Sequence, residues 1–95
     1  MSTYYVYAVH YDSTHSHIEQ LKVAQNGCSF IYWSRQEVVN RIYRRTDEFI
    51  TAVATGNGNY ERGALVIIDP VDGIYYLKTV ADWTTRDNLG SLPEY

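Results

Sequence analysis

The chain has 95 residues, which allows one domain built on one hydrophobic core. Hydrophobic residues make up 45% and charged residues 20%, a balance that excludes a disordered chain. The net charge of -3 excludes a global electrostatic pull toward nucleic acid or anionic membrane, and the single cysteine, Cys28, excludes an intramolecular disulfide or a cysteine-rich zinc site.

"TYYVYAVHY" (Thr3 to Tyr11) is rich in aromatic and β-branched residues and reads as a strand. Strict alternation puts Tyr4, Val6 and Ala8 on one face and Tyr5, Tyr7 and Val9 on the other, so both faces need cover. "DSTHSH" (Asp12 to His17) has turn composition, and "IEQLKVAQ" (Ile18 to Gln25) is a second strand. Ile18 is out of phase with Leu21 and Val23, which predicts a bulge or a late strand start. Asn26-Gly27 is a turn, and "FIYW" (Phe30 to Trp33) leads into a helix.

"SRQEVVNRIYRRT" carries the helix. Ser34 and Glu37 have the spacing of a reciprocal capping box, and Trp33 stands where it can staple against Val38. Val38, Val39 and Ile42 share a face, Arg44 and Arg45 suit the last turn, and the end is expected near Thr46 and Asp47. Strands follow at Glu48 to Thr55, at Tyr60 to Pro70, where the proline stops it, and at Ile74 to Val80. The turns "GNGN" and "VDG" separate them. The expected fold is α+β, a single domain in the order β-β-α-β-β-β, with about five antiparallel strands on one helix and a docked C-terminal turn. A small half-open barrel is the alternative.

Three groups of residues are candidates for a site. His10, Asp12, His15 and His17 fall within eight residues and offer imidazole and carboxylate ligands for zinc, nickel or copper. Their spacing matches no established zinc pattern, and the same composition makes a solvated loop. Arg35, Arg41, Arg44 and Arg45 are half of the basic residues, all on or beside the helix. With nearby tyrosines they fit phosphate or nucleic-acid contact, although a solvated, dipole-friendly helix face needs the same residues. The carboxylates Glu61, Asp69, Asp72, Asp82, Asp87 and Glu94 lie mostly in turns. No nucleophile elbow, HExxH or phosphate loop is present, so neither catalysis nor a cofactor is expected.

The C-terminal stretch "DNLGSLPEY" has turn formers, two leucines three apart and a proline. Together with "SRQEVV", "ITAV" (Ile50 to Val53), "RGA" (Arg62 to Ala64) and "YYLKT" (Tyr75 to Thr79), it resembles the domain of unknown function 3892 family, small and mostly bacterial proteins. The resemblance implies a stand-alone domain whose ending belongs to its fold or function, and it supplies no catalytic residues. Within that ending Asp87 and Asn88 read as turn or cap residues, Leu89 and Leu92 as one buried side of a short turn, Pro93 as its stop, and Tyr95 as a cap on the core edge.

Ten tyrosines against two phenylalanines fit half-buried strand surfaces and interfaces. The expectation is a non-enzymatic module working through protein contacts, as a homodimer or with another protein. Nucleic-acid or nucleotide binding through the arginine helix and tyrosines is the alternative, and a small metal-dependent hydrolase the third. No run approaches the roughly 18 apolar residues of a membrane span. The opening "MSTYYVYAVHYD" lacks the basic flank of a secretory leader, so a cytoplasmic protein without a membrane partner is expected.

Overall fold

The computed structural model describes residues 2–15, 17–79 and 92–95. They form β1 (Ser2–Tyr11), β2 (Ile18–Ala24), β3 (Ile31–Ser34), α1 (Arg35–Tyr43), β4 (Asp47–Ala54), β5 (Tyr60–Val71) and β6 (Ile74–Thr79). One sheet holds the six strands in the order β3-β2-β1-β4-β5-β6. The fold is α+β, but the expected five antiparallel strands become six in a mixed sheet.

The difference originates at "FIYW". Ile31 to Ser34 pair antiparallel with β2, through Leu21 with Trp33 and Val23 with Ile31. Four residues running straight into a helix cap carry too short an alternation to read as a strand. The extra strand also reverses the chain once more. Leaving β3, α1 crosses the sheet and delivers β4 parallel to β1, from Ser2 beside Asp47 to Val6 beside Thr51.

Two bulges set which side chains enter the core. Between β1 and β2, Val6 pairs with Val23 and Ala8 with Lys22, so Tyr7 is an extra residue on β1. Farther on, His10 pairs with Gln20 and Tyr11 with Ile18, which makes Glu19 the extra residue on β2. The second bulge is the one that the phase of Ile18 predicts. The first corrects the alternation of β1: Val9 joins Val6 in the core cluster, while Tyr7 and Ala8 sit together opposite Lys22. A one-residue slip exchanges the faces, and no residue type in "VYAV" announces it.

The core lies between the inner face of the sheet and a cover made by α1 and β6. It unites Val6, Val9, Ile18, Leu21, Val23, Phe49 and Val66 with Val38 and Val39 of α1 and Leu77 of β6. The 12-residue β5 makes this possible: its first half pairs with β4 and its second half with β6. The β5–β6 hairpin turns at Asp72-Gly73, with φ of 51° and 81°, the doubly positive pattern of a tight hairpin turn. Pro70 lies inside this strand, opposite Tyr75, rather than ending it. Arg35 of α1 donates to the main-chain oxygen of Tyr75, and the Tyr75 ring meets Tyr43 edge to face at 5.8 Å.

Half of the capping box forms. The Glu37 N–H donates to Ser34 Oγ at 3.2 Å, but the Glu37 carboxylate turns instead to Arg41 Nε at 2.7 Å. Trp33 packs against the core cluster that contains Val38. The helix ends earlier than expected, with Arg44 as its C-cap. Arg45 then takes φ 57°, its N–H bonds Ile42 O at 3.1 Å, and the Thr46 N–H bonds Arg41 O at 3.2 Å. This is the Schellman ending with arginine where glycine is usual. Arg45→Gly is therefore expected to raise stability by about 1 kcal/mol, because a Cβ is strained at positive φ. A higher urea midpoint at unchanged slope is the readout.

Candidate functional site

Cross-strand partners lie on one face of a sheet. The pairs Tyr4 and Phe49, Val6 and Val23, and Val9 and Leu21 face the core. The complementary pairs therefore face outward: Tyr5 with Ile50, Lys22 with Tyr32, His10 with Gln20, Ala52 with Arg62, and Ala54 with Tyr60. No element among the described residues covers this side, apart from the last residues of the chain at one corner.

Aromatic rings dominate the outward face. Tyr7 meets Phe30 edge to face at 5.0 Å and Tyr60 at 4.8 Å. The Lys22 ammonium lies 4.2 Å from the centre of the Phe30 ring, within cation–π range. Tyr95 sits 5.6 Å from Tyr32 and 5.4 Å from His10, and its hydroxyl donates to Gln20 Oε1 at 3.0 Å. Phe30, Tyr32 and Tyr60 are about half exposed, at 48%, 53% and 51%. Several large rings on this face thus stay half uncovered together, while Ile50 and Ala52 between them are nearly fully buried, at 1% and 3%.

A cleft of about 180 Å³ opens within this array. Tyr5, Tyr7 and Tyr60 line it with Ala52, which is 3% exposed, and Asn26, Glu61 and Arg62 complete the rim. A small floor residue among large neighbours creates the depression. The Tyr7 phenol is raised above its ordinary value of 10.0, by burial first and then by the Tyr60 and Tyr5 phenols. The Tyr95 phenol is raised by burial and by Tyr32. Both remain protonated, hence hydrogen-bond donors, across the neutral range.

The arginines of the helix lie on the other side of the molecule. Arg41 is held by Glu37 and by Asp47 Oδ2 at 2.8 Å, and its guanidinium rests 4.0 Å from the centre of the Trp33 ring. Arg35 is committed to the Tyr75 main chain. Arg44 and Arg45 are exposed, and Arg45 borders a mostly apolar depression shared with Asp47 and Glu48. The helix ends at Tyr43, so Arg44 stands at its cap and Arg45, at φ 57°, lies beyond it. Glu37, Asp47 and Glu48 bring negative charge to the same region.

The histidine turn is also dispersed. His10 belongs to the outward face, with its Nδ1 against the Tyr95 main-chain oxygen and Nε2 4.0 Å from Glu19. His15 stacks on Tyr11 at 3.9 Å and pairs with Glu94 at 2.8 Å, while His17 stacks on Tyr76 at 5.8 Å. Asp12 accepts from the Thr14 hydroxyl at 3.0 Å, an ordinary turn bond. Among the described residues no three His, Cys, Asp or Glu side chains gather into a metal-binding group. Cys28 is exposed.

The tail docks beside β1. β4 accompanies β1 only as far as Val6, and beyond it the Val9 N–H bonds Pro93 O at 2.9 Å while the Tyr95 N–H bonds Val9 O at 3.0 Å. Leu92 packs against the core cluster. Asp87, Asn88 and Leu89, and with them the expected Leu89–Leu92 turn, lie outside the described residues, as does Asp82. Deleting residues 92–95 leaves two buried-edge backbone groups of Val9 unpaired and removes the Leu92 contact. A loss of about 2 kcal/mol is expected, read as a lower melting temperature.

What sequence reasoning missed is the composition of the outward face. Lys22, Phe30, Tyr60 and Arg62 come together from β2, β5 and the segment before β3, and the excess of tyrosine was the signal that pointed toward such a face. Among the described residues no helix is long and apolar enough to cross a membrane. Comparison with curated proteins and with solved structures gave no match. The family model described as "Protein of unknown function (DUF3892)" matches residues 5–93, nearly the whole chain, which takes in β2, β3, α1, β4, β5, β6 and most of β1; the chain belongs to that family.

Proposed function

We propose that the protein is a non-enzymatic binding module that acts through protein contacts, with the outward aromatic face as its contact surface and a second copy of the chain among its partners. The observation that carries this reading is the array of half-exposed rings, Phe30, Tyr60, Tyr32 and Tyr95, with the partly buried Tyr7 among them, on the sheet face that no element among the described residues covers. Tyrosine supplies large contact area at small conformational cost and is enriched at interfaces. Nucleic-acid binding through the arginine helix draws less support. Stacking of bases needs rings beside the cations, and most of the exposed rings lie on the opposite face from Arg35, Arg41, Arg44 and Arg45.

Sedimentation velocity over a concentration series tests the reading. The wild-type protein is expected to show a monomer–dimer equilibrium, and a Phe30→Ser/Tyr60→Ser double variant to remain monomeric with an unchanged circular dichroism spectrum. A wild-type protein that stays monomeric at the highest concentration removes the homodimer. Tight binding of single-stranded DNA at low salt, lost in Arg44→Gln/Arg45→Gln, removes the protein-contact reading in favour of the helix.

A further inference from the structure

We infer that the cleft between Tyr5, Tyr7 and Tyr60 is an anchor site for an acidic segment of a partner protein, which sets a carboxylate on Arg62 and an apolar neighbour on the tyrosine rings. The inference rests on the protein-contact reading and gives that surface a partner chemistry. Its first ground is charge. Ala52 pairs with Arg62 and Ala54 with Tyr60, so Arg62 and Tyr60 share the outward face. Glu61 pairs with Val53 between them, and alternation turns its side chain toward the other face of β5. Among the described residues that line the cleft, Arg62 is the cation, and Glu61 on the rim is the one carboxylate, its side chain directed away from Arg62 by that alternation.

The second ground is that Arg62 is uncommitted. Arg41 is bonded to Glu37 and Asp47, Arg35 to Tyr75, and Lys78 to Asp69 at 2.8 Å. Arg62 is exposed and makes no ion pair among the described residues. A guanidinium presents its N–H groups as a planar fork that matches a carboxylate. The Asn26 amide and the protonated Tyr7 phenol add neutral donors around the same cleft. Lys22, held over Phe30 beside Tyr7, adds a second cation to the face.

The third ground is size. About 180 Å³ is small against the ~300–1,000 Å³ of drug-sized ligand sites, and suits one inserted side chain of a larger partner. Such pockets hold the anchors that dominate protein interfaces. Nucleic acid fits less well, because a backbone track needs a run of cations and this face offers Lys22 and Arg62 among the described residues.

The test is a nuclear magnetic resonance titration of the full chain with three peptides, acetyl-Glu-Phe-Glu-amide, acetyl-Gln-Phe-Gln-amide and acetyl-Lys-Phe-Lys-amide, and with oligothymidylate. The acidic peptide is expected to shift the resonances of Tyr5, Tyr7, Tyr60 and Arg62, and the glutamine peptide to bind about tenfold more weakly. In Arg62→Gln the two peptides are expected to bind equally, in a spectrum that otherwise stays that of the folded protein. Equal binding of all three peptides by the wild type overturns the acidic assignment and leaves the protein-contact reading in place. The absence of cleft shifts with the acidic peptide overturns it as well. Oligothymidylate shifting the same residues in place of the peptides overturns both.

Discussion

Replacing Arg41 with glutamine is expected to cost about 3 kcal/mol, a large part of the roughly 5–15 kcal/mol that holds a domain of this size together. The Asp47 side chain is 8% exposed, and Arg41 Nη1 at 2.8 Å is its charged partner. The Thr46 hydroxyl, at 3.5 Å from the same carboxylate oxygen, is too distant to take over. Removing the guanidinium leaves a carboxylate buried at the start of β4, where β4 begins its parallel pairing with β1 beside Ser2. It also removes the cover over Trp33. Equilibrium urea unfolding reads the loss. Asp47→Asn is expected to restore part of it in the double variant, since a neutral amide is cheaper to bury unpaired. Arg44→Gln, on an exposed cap residue, is the control and stays within about 0.5 kcal/mol of the wild type. One of the four arginines that read as a phosphate or nucleic-acid site is on this account a structural clamp between helix and sheet.

Replacing Gly63 with alanine is the second large effect. A Cβ at this position meets Thr51 Oγ1 at 2.2 Å, and Thr51 O and Val53 Cγ2 each at 3.0 Å. The crowding follows from a bulge. Ile50 pairs with Leu65 and Ala52 with Arg62, so Thr51 alone faces both Gly63 and Ala64. The Thr51 hydroxyl accepts the Ala64 N–H at 2.9 Å, which holds it over Gly63. An added methyl must break this bond or push β4 and β5 apart, at about 2–3 kcal/mol. Thr51→Ala removes the nearest atom and is expected to recover part of the loss in a double-mutant cycle. The bulge also sets the alternation by which Arg62 and Tyr60 reach the outward face, so Gly63→Ala is expected to weaken any ligand of the cleft along with the fold.

These two residues show how unevenly the sequence discloses the structure. The cap at Ser34, the turn at Asp72-Gly73 and the helical face of Val38, Val39 and Ile42 are local, and local chemistry announces them. The phase break at Ile18 announces one bulge because an isoleucine on the wrong face is visible in the pattern. The bulge at Tyr7 is silent, since either face of "YVYAV" is apolar and a slip leaves no mark. The parallel pairing of β1 with β4 was hidden for a related reason: it depends on whether Ile31 to Ser34 count as a strand, and four residues do not decide that by themselves.

The candidate site follows the same division. Residues close in sequence, the four arginines and the histidine turn, drew attention because spacing is what a sequence displays. The structure assigns Arg41 to the clamp and separates His10 from His15 and His17. Tyr7, Phe30, Tyr60 and Arg62 span more than half the chain and meet only through the register of β1, β4 and β5 and the turn before β3. Nothing in their spacing relates them. "RGA" was legible as a motif, and its physical content, a glycine beneath a threonine and an arginine beside a tyrosine, emerges only with the pairing of β4 and β5.

The most direct test of the central claim, that the outward aromatic face is the surface through which this chain binds protein, is site-specific photo-crosslinking in a nuclease-treated lysate of the native cell. A benzophenone side chain replaces Tyr60 in one preparation and Arg44 in another, and the products are identified by mass spectrometry. The account predicts a discrete protein adduct from position 60, unchanged by nuclease and lost when Arg62→Gln is added, with none from position 44. A discrete adduct from position 44 and none from position 60, or an adduct to nucleic acid in the untreated lysate, contradicts it.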